Sequence, residues 1–174
     1  MKKVTQDFTC VTSCVDENIT GNPYDVCRIL AENKALDVAK NNPGEIVVGA
    51  DTVVAIDGII LGKPRDKKEN FEYLKKLSGR EHYVHTGYAV VFGDNVISET
   101  LTTTVLFRDL TNSEIDEYVN SGSGLDKAGG YGIQERDFVK EILGDYENVV
   151  GFSTNKVRQL LDKLKERVWK TLSL

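Results

Sequence analysis

Apolar residues recur along the chain with two spacings, one typical of strands and one typical of helices. The run 8–15 alternates between apolar and polar residues, which predicts a strand. Asn22 and Pro23 form a helix start signal, because asparagine caps a helix and proline suits its first position, so we expect a helix to about Lys40. The short, nearly all-apolar run 45–50 is typical of a strand buried on both faces.

The later part of the chain repeats this alternation of helices and strands. The predicted elements are a tight turn at 57–58, a helix capped by Asp66 and ending near Leu77, two long strands at 82–92 and 96–108 joined as a hairpin, a helix opened by Thr111 and Glu114, and a last helix from near Ser153. This order predicts the α/β class, with a mixed twisted sheet, flanking helices and an inserted β-hairpin. We expect a single domain over residues 1–174.

Composition and charge narrow the class of protein. The chain of 174 residues is 40% hydrophobic and 28% charged, which is typical of a globular domain and argues against disorder. Its net charge of −5 disfavours nonspecific nucleic-acid binding, which needs a basic face. No apolar run approaches the ~18 residues of a membrane span, and the N-terminus has no apolar signal segment. We therefore expect a cytoplasmic protein without nucleic-acid or membrane partners.

The cysteines indicate neither a disulfide framework nor a zinc site. There are three of them, Cys10, Cys14 and Cys27, and no C-x-x-C motif occurs. Free cysteine is among the residue types most often buried, and the cytosol keeps thiols reduced. We expect all three to be buried free thiols.

Two charged residues interrupt apolar segments. Lys34 lies four residues after Leu30 and four before Val38, in the middle of the apolar stripe of the first helix. It is either a lysine that extends to the rim of the core or a cation directed at a ligand phosphate. Asp51 directly follows the run 45–50, at the carboxyl end of the predicted strand, where α/β folds place their ligands. The alternative for Asp51 is a turn or cap aspartate; if buried, its carboxylate needs a metal or a lysine partner.

Two loops add further candidates. Lys63 stands between Gly62 and Pro64, in a loop that does not match the Walker A motif. Taken alone, it is either an ordinary surface lysine or a candidate phosphate ligand. The run 126–134 carries three glycines in four positions, which let a backbone approach a ligand closely, with Lys127 before them and Gln134 after them. Carboxylates and lysines around a glycine loop suit a metal-bound polyphosphate, and a carboxylate can deprotonate the attacking water.

An ordered series of segments resembles the Maf family of nucleoside triphosphate pyrophosphatases. These segments are 15–17, 34–39, 49–54, 61–64, 77–80 with His82 and Val84, 86–87, 126–134, 144–146 and 148–151. The resemblance spans nearly all of the chain, and its motifs are specific in combination. It implies a Maf/ITPase-like fold and a nucleoside triphosphate as substrate.

The resemblance also implies a reaction and the residues that carry it. The family hydrolyses a nucleoside triphosphate between the α and β phosphates, releasing the monophosphate and pyrophosphate, and it needs a divalent cation, Mg²⁺ or Mn²⁺. By this resemblance Asp51 is the proton acceptor for water, and Glu17 holds the metal together with Asp51. Lys34 and Lys63 bind phosphates.

Two positions resemble the branch of the family that acts on dTTP and UTP. The Ala-Asp-Thr sequence that ends at Thr52, together with Gln134, marks that branch, so these two residues are our specificity candidates. Lys127, Gly129 and Gly130 of the glycine run are candidate substrate-binding residues. The chain departs from the family directly after the glutamine, where a glutamate stands in place of a frequent glycine.

A second departure concerns the N-terminus. The family begins with a strand and a Ser-x-Ser-Pro-Arg-Arg loop whose arginines contact the triphosphate, and no Ser-Pro-Arg occurs in this sequence. We therefore expect that strand and loop to be absent, with a sheet edge that a homodimer covers. An alternative function follows from the same departure: a catalytically weakened or inactive nucleotide-binding Maf-like protein, with a role in division control, such as septum formation, or in scavenging.

Overall fold

A computed structural model describes residues 1–172 of the chain. Its helices are α1 (Pro23–Lys40), α2 (Lys67–Leu77), α3 (Asn112–Ser121), α4 (Tyr146–Val149) and α5 (Thr154–Leu172), with a 3-10 turn at Ala128–Gly130. Its strands are β1 (Val47–Ile56), β2 (Ile59–Leu61), β3 (Glu81–Phe92), β4 (Asn95–Phe107) and β5 (Val139–Leu143). None of the helices within residues 1–172 is both long enough and apolar enough to cross a membrane.

The five strands form one sheet in the order β2-β1-β3-β4-β5, which confirms the predicted α/β class with flanking helices. The predicted hairpin is β3 with β4. The sheet is antiparallel where we expected a mixed one, because tight turns join β1 to β2 and β3 to β4, and such turns permit only antiparallel pairing. The turn between β1 and β2 holds Asp57 and Gly58 at positive φ, 53° and 74°, as a type I′ turn requires.

Local capping signals set the helix ends as the sequence predicts. The Asn22 side chain accepts a hydrogen bond from the Tyr24 amide at the start of α1. The Asp66 side chain accepts a hydrogen bond from the Glu69 amide at the start of α2. Thr111 forms a complete capping box at the start of α3. These helices therefore begin at the predicted places.

The chain forms two compact units, each assembled from separate stretches. Among the described residues, the first unit contains Met1–Asp51, Thr86–Leu101 and 151–172, and the second contains Thr52–His85 and Thr102–Val150. The expectation of a single domain over residues 1–174 stays a prediction.

The first unit has helices on its part of the sheet. The α5 stripe of Val157, Leu160 and Leu164 is buried against a cluster that includes Tyr88 and Val90 of β3, which confirms its predicted role as core. α1 lies very close to the strands, because glycines face it. A methyl group at Gly87 would lie 2.2 Å from the Cys27 carbonyl oxygen, and one at Gly49 would lie 2.4 Å from the Ala31 carbonyl oxygen.

The second unit encloses its own core, to which β1 to β4, α2 and α3 all contribute. His82 of β3 is fully buried there, and its Nε2 lies 2.7 Å from the Tyr131 hydroxyl. The His82, Phe107 and Tyr131 rings meet edge to face. His82 and His85 face opposite sides of β3, as the strand period predicts.

Acid is expected to destabilise the protein through His82. Burial lowers the pKa of His82 to about 4, from an ordinary value of 6.5. Because the unfolded chain then binds this proton more readily than the folded protein, its contribution is full above pH 6.5 and is lost as the pH falls through about 4. Urea denaturation should show a loss of roughly 2 kcal/mol in the free energy of unfolding between pH 7 and 5 from this residue. A His82→Gln variant with an equally steep pH dependence would contradict this.

The predicted strand over 8–15 is wrong. Residues 7–20 have no regular secondary structure, although the residue types favour β. The segment pairs with no strand within residues 1–172, and β propensity without a partner forms no ladder. For the same reason Cys10 and Cys14 are exposed, contrary to our expectation, whereas Cys27 of α1 is buried as predicted.

The position of Asp51 within its strand differs from the prediction. β1 continues to Ile56, so Asp51 lies near its middle and not at its carboxyl end. The continuation follows from the apolar, β-branched residues after Asp51, which pair with β2 from Val54 on.

Candidate functional site

Three of the predicted site residues meet in the first unit. The Lys34 ammonium lies 2.7 Å from a carboxylate oxygen of Glu17 and 2.7 Å from one of Asp51. The side chain of Asp51 is only 13% exposed and that of Lys34 20%, whereas that of Glu17 is 61% exposed. The expected lysine partner of Asp51 is therefore present, and the two carboxylates lie within about two hydrogen-bond lengths of each other.

The packing of α1 on β1 brings Lys34 and Asp51 together. Side chains two apart on a strand share a face, so Asp51 points to the same side as Gly49. A methyl group at Gly49 would lie 2.4 Å from the Ala31 carbonyl oxygen and 3.0 Å from the Ala35 side chain, so this side of β1 faces α1. Lys34 lies on α1 between these two alanines. The small residues thus position a carboxylate beside an ammonium.

Glu17 reaches Lys34 from the irregular segment 7–20. This segment has a second attachment to α1, because the Cys14 amide donates to the Asp37 carboxylate at 2.9 Å. Asp37 stands three residues after Lys34, on the same side of the helix. Asp37 was not among the predicted site residues, because a carboxylate on a helix surface is ordinary and its contact with Cys14 joins residues distant in the chain.

The charge of Lys34 depends on its two partners. Burial alone would lower the pKa of Lys34, but hydrogen bonds to Asp51 and Glu17 outweigh that effect, and the pKa is raised above its ordinary value. Lys34 is therefore an ammonium at neutral pH. It partly neutralises two carboxylates that would otherwise repel each other.

The carboxylates beside Lys34 fit a hard divalent cation that needs few ligands from the protein. Glu17 and Asp51 offer carboxylate oxygens, which Mg²⁺ and Mn²⁺ prefer. Within residues 1–172 no group of three or more His, Cys, Asp or Glu side chains is placed to hold a metal. Mg²⁺ usually takes one or two carboxylates and completes its shell with water and phosphate oxygens, so two carboxylates suffice.

The remaining predicted site residues belong to the second unit, where two loops lie side by side. The Gly129 amide donates to the Gly62 carbonyl at 3.1 Å, which joins the glycine run to the loop of Lys63. Lys63 is exposed, and Pro64 after it is buried. Thr52 shares a face of β1 with Val54, and that face carries the glycine run, because a methyl group at Gly129 would lie 2.8 Å from Val54.

Buried side chains fix the glycine run by hydrogen bonds. The Asn70 amide nitrogen donates to the Gly130 carbonyl at 2.7 Å, and the Tyr131 hydroxyl lies 2.7 Å from His82. Asn70 is fully buried on α2, at a position where an amphipathic helix normally carries an apolar residue. That misplaced polarity was the signal by which Asn70 could have been found in the sequence. Gln134, beyond the glycines, is exposed.

Lys127 differs from Lys63 in its surroundings. Its ammonium lies 2.8 Å from Asp126 and 3.0 Å from Glu135, and it donates to the Ser123 carbonyl at 2.6 Å. Hydrogen bonding to Asp126 is the main cause of its raised pKa, so Lys127 is charged at neutral pH. Lys63 is thus exposed, whereas Lys127 already has acceptors within the protein.

Comparison with known proteins identifies the family of this chain. A sequence profile described as Maf-like protein matches residues 1–164. A dTTP/UTP pyrophosphatase of Thermococcus gammatolerans is 42% identical over 99% of this chain and 92% of its own length. A protein of the same name from Clostridium botulinum (strain Kyoto / Type A2) is 42% identical over 92% of this chain and 88% of its own length. Another from Bacillus anthracis is 46% identical over 88% of this chain and 83% of its own length. The chain therefore belongs to the Maf family.

Proposed function

We propose that this protein is a nucleotide pyrophosphatase that hydrolyses dTTP and UTP to the monophosphate and pyrophosphate. The observation that carries the proposal is the pair of carboxylates, Glu17 and Asp51, that share the Lys34 ammonium. The names of the relatives support the choice of reaction and substrate. In hydrolysis of a phosphoanhydride, a carboxylate can act as the general base and a fixed cation can stabilise the negative charge of the transition state.

In this proposal Asp51 acts as the general base. Its carboxylate accepts a proton from the water that attacks the α-phosphorus, and the bond from the α-phosphorus to the bridging oxygen breaks. Pyrophosphate leaves with that electron pair, and Asp51 later releases its proton to solvent. Lys34 orients the carboxylate through their 2.7 Å hydrogen bond and keeps its charge because its pKa is raised.

Glu17 and Asp51 would hold the divalent cation, Mg²⁺ or Mn²⁺. The bound ion would offset the charge of the triphosphate. Lys34 and Lys63 are the proposed phosphate ligands. We propose Thr52 and Gln134 as specificity residues, with Gly129 and Gly130 forming the close backbone approach to the substrate. The homodimer and the cytoplasmic location also stay predictions.

A pyrophosphate-release assay tests the proposed reaction. With Mn²⁺ present, we expect turnover of dTTP and UTP that clearly exceeds turnover of 7-methyl-GTP. Absence of turnover on all three nucleotides would overturn the proposal. Calorimetry then separates the outcomes: tight nucleotide binding without hydrolysis would instead support the inactive nucleotide-binding alternative.

Removal of divalent cations is expected to abolish the activity reversibly. Two carboxylates alone bind Mg²⁺ weakly, so EDTA should strip the ion readily, and added Mg²⁺ or Mn²⁺ should restore turnover. The rate of turnover in EDTA should be at least about 100-fold below the rate with the divalent cation, because several kcal/mol of charge stabilisation is lost. Calcium-loaded EDTA serves as the control for effects of the chelator itself. Full activity in metal-free buffer would exclude the proposed role of Glu17.

A further inference from the structure

Lys127 has a full set of acceptors within the protein. A lysine ammonium has three hydrogens to donate. Here three oxygens surround it, from the carboxylates of Asp126 and Glu135 and from the Ser123 carbonyl. A phosphate oxygen could bind this ammonium only by displacing one of them. Lys63, by contrast, is exposed.

Glu135 joins Lys127 to a buried tyrosine. One carboxylate oxygen lies 3.0 Å from the Lys127 ammonium, and the other accepts a hydrogen bond of 2.6 Å from the Tyr118 hydroxyl. Tyr118 lies on α3 and is only 1% exposed, so its hydroxyl is fixed by the core. The same hydroxyl accepts a hydrogen bond from the Gly132 amide at 3.0 Å.

These contacts close the loop on both sides of Gln134. Gly132 is fixed two residues before it, and Glu135 directly after it. Glu135 folds back under Gly132, because a methyl group at position 132 would lie 2.6 Å from the Glu135 carboxyl carbon. The backbone that carries Gln134 is therefore held between two points that share one buried hydroxyl.

We propose that Tyr118, Lys127 and Glu135 form a buckle that positions Gln134, and that Lys127 is a positioning residue and not a phosphate ligand. The inference rests on the proposed function, and it revises the expectation that Lys127 binds substrate. The buckle depends on Glu135, the residue directly after Gln134, because its carboxylate contacts both Lys127 and Tyr118. It predicts that these three residues act on base selection and not on triphosphate binding.

Kinetic specificity tests the buckle against a phosphate-binding role. The variants are Lys127→Met, Glu135→Gln and Tyr118→Phe, with kcat/KM measured for dTTP and for dGTP. Each variant should lower kcat/KM for dTTP about 10-fold, because one charge-assisted hydrogen bond is lost. The kcat/KM for dGTP, which we expect to be lower already in wild type, should change less than twofold. An equal loss on both nucleotides in Lys127→Met would show a phosphate ligand and overturn the proposal.

Asp126→Asn is the matched control. Asp126 also contacts Lys127, but it is 81% exposed and is outside the proposed buckle. Its replacement should leave both kcat/KM values within twofold. A loss of dTTP preference in Asp126→Asn as large as in Glu135→Gln would show that any charge near Lys127 matters, and it would overturn the specific role of Glu135.

A double-mutant cycle in urea gives a readout that needs no activity. If Lys127 and Glu135 stabilise one structure, the double variant should shift the unfolding midpoint by less than the sum of the two single shifts. Additive shifts would overturn the buckle even if dTTP is hydrolysed. If wild type hydrolyses no nucleotide but the shifts are non-additive, the proposed function fails while the buckle stands as a structural unit.

Discussion

Asp51→Asn should reduce the turnover of dTTP by about 10³-fold while leaving the fold intact. General-base catalysis contributes roughly 10²–10⁴-fold, and an amide cannot accept the proton from water. The asparagine oxygen can still accept the hydrogen bond from Lys34, so packing at the middle of β1 should persist. Steady-state kinetics and a thermal unfolding curve of the same sample measure both expectations.

Asp57→Asn is the matched control for this prediction. Asp57 lies in the turn after β1, is exposed, and has φ 53°, a backbone conformation that asparagine tolerates well. It should keep turnover within twofold and lose only a surface ion pair with Arg80. If Asp51→Asn keeps more than a tenth of the wild-type rate, Asp51 is not the proton acceptor.

Gly87→Ala is expected to destabilise the protein by about 3 kcal/mol or more. The new methyl carbon would lie 2.2–2.4 Å from backbone atoms of Cys27 and Arg28, and a helix backbone cannot yield as a side-chain end can. Overpacking costs typically 1–3 kcal/mol, and a clash with main chain belongs at or above the upper end of that range. Urea denaturation monitored by circular dichroism measures the change.

Gly62→Ala separates the clash from the general effect of replacing a glycine. A methyl group at Gly62 has no atom within 4 Å, and its φ is not in the left-handed region. The free energy of unfolding of this variant should stay within about 0.5 kcal/mol of wild type. If Gly87→Ala were equally harmless, the close approach of α1 to β3 would be wrong.

Elements with local signals were predictable from the sequence. Helix starts at Asn22, Asp66 and Thr111 are each fixed by a side chain that caps nearby amides, so a few residues contain the information. The β3–β4 hairpin was also predictable from local sequence, because its two strands are adjacent in the chain. The segment 8–15 was not, because its residue types favour a strand but no partner strand within residues 1–172 pairs with it.

The candidate site was predictable where a charge stands among apolar neighbours. Lys34 interrupts the apolar stripe of α1, and Asp51 interrupts an apolar strand, so each indicated a partner that the structure provides. Asp37 and Tyr118 gave no such signal, since a carboxylate on a helix surface and an apolar ring in a core are both ordinary. Their roles depend on contacts with residues distant in the chain, which spacing does not show.

The two carboxylates on Lys34 differ in how firmly the chain holds them. Asp51 is part of a ten-residue strand, whereas Glu17 is carried by an irregular stretch that a side-chain contact at Asp37 and its own ion pair attach to α1. Segments with few backbone hydrogen bonds open at low free-energy cost. Opening of the segment 7–20 would therefore remove Glu17 from Lys34 at a lower free-energy cost than displacing Asp51, which the pairing of β1 retains in the sheet.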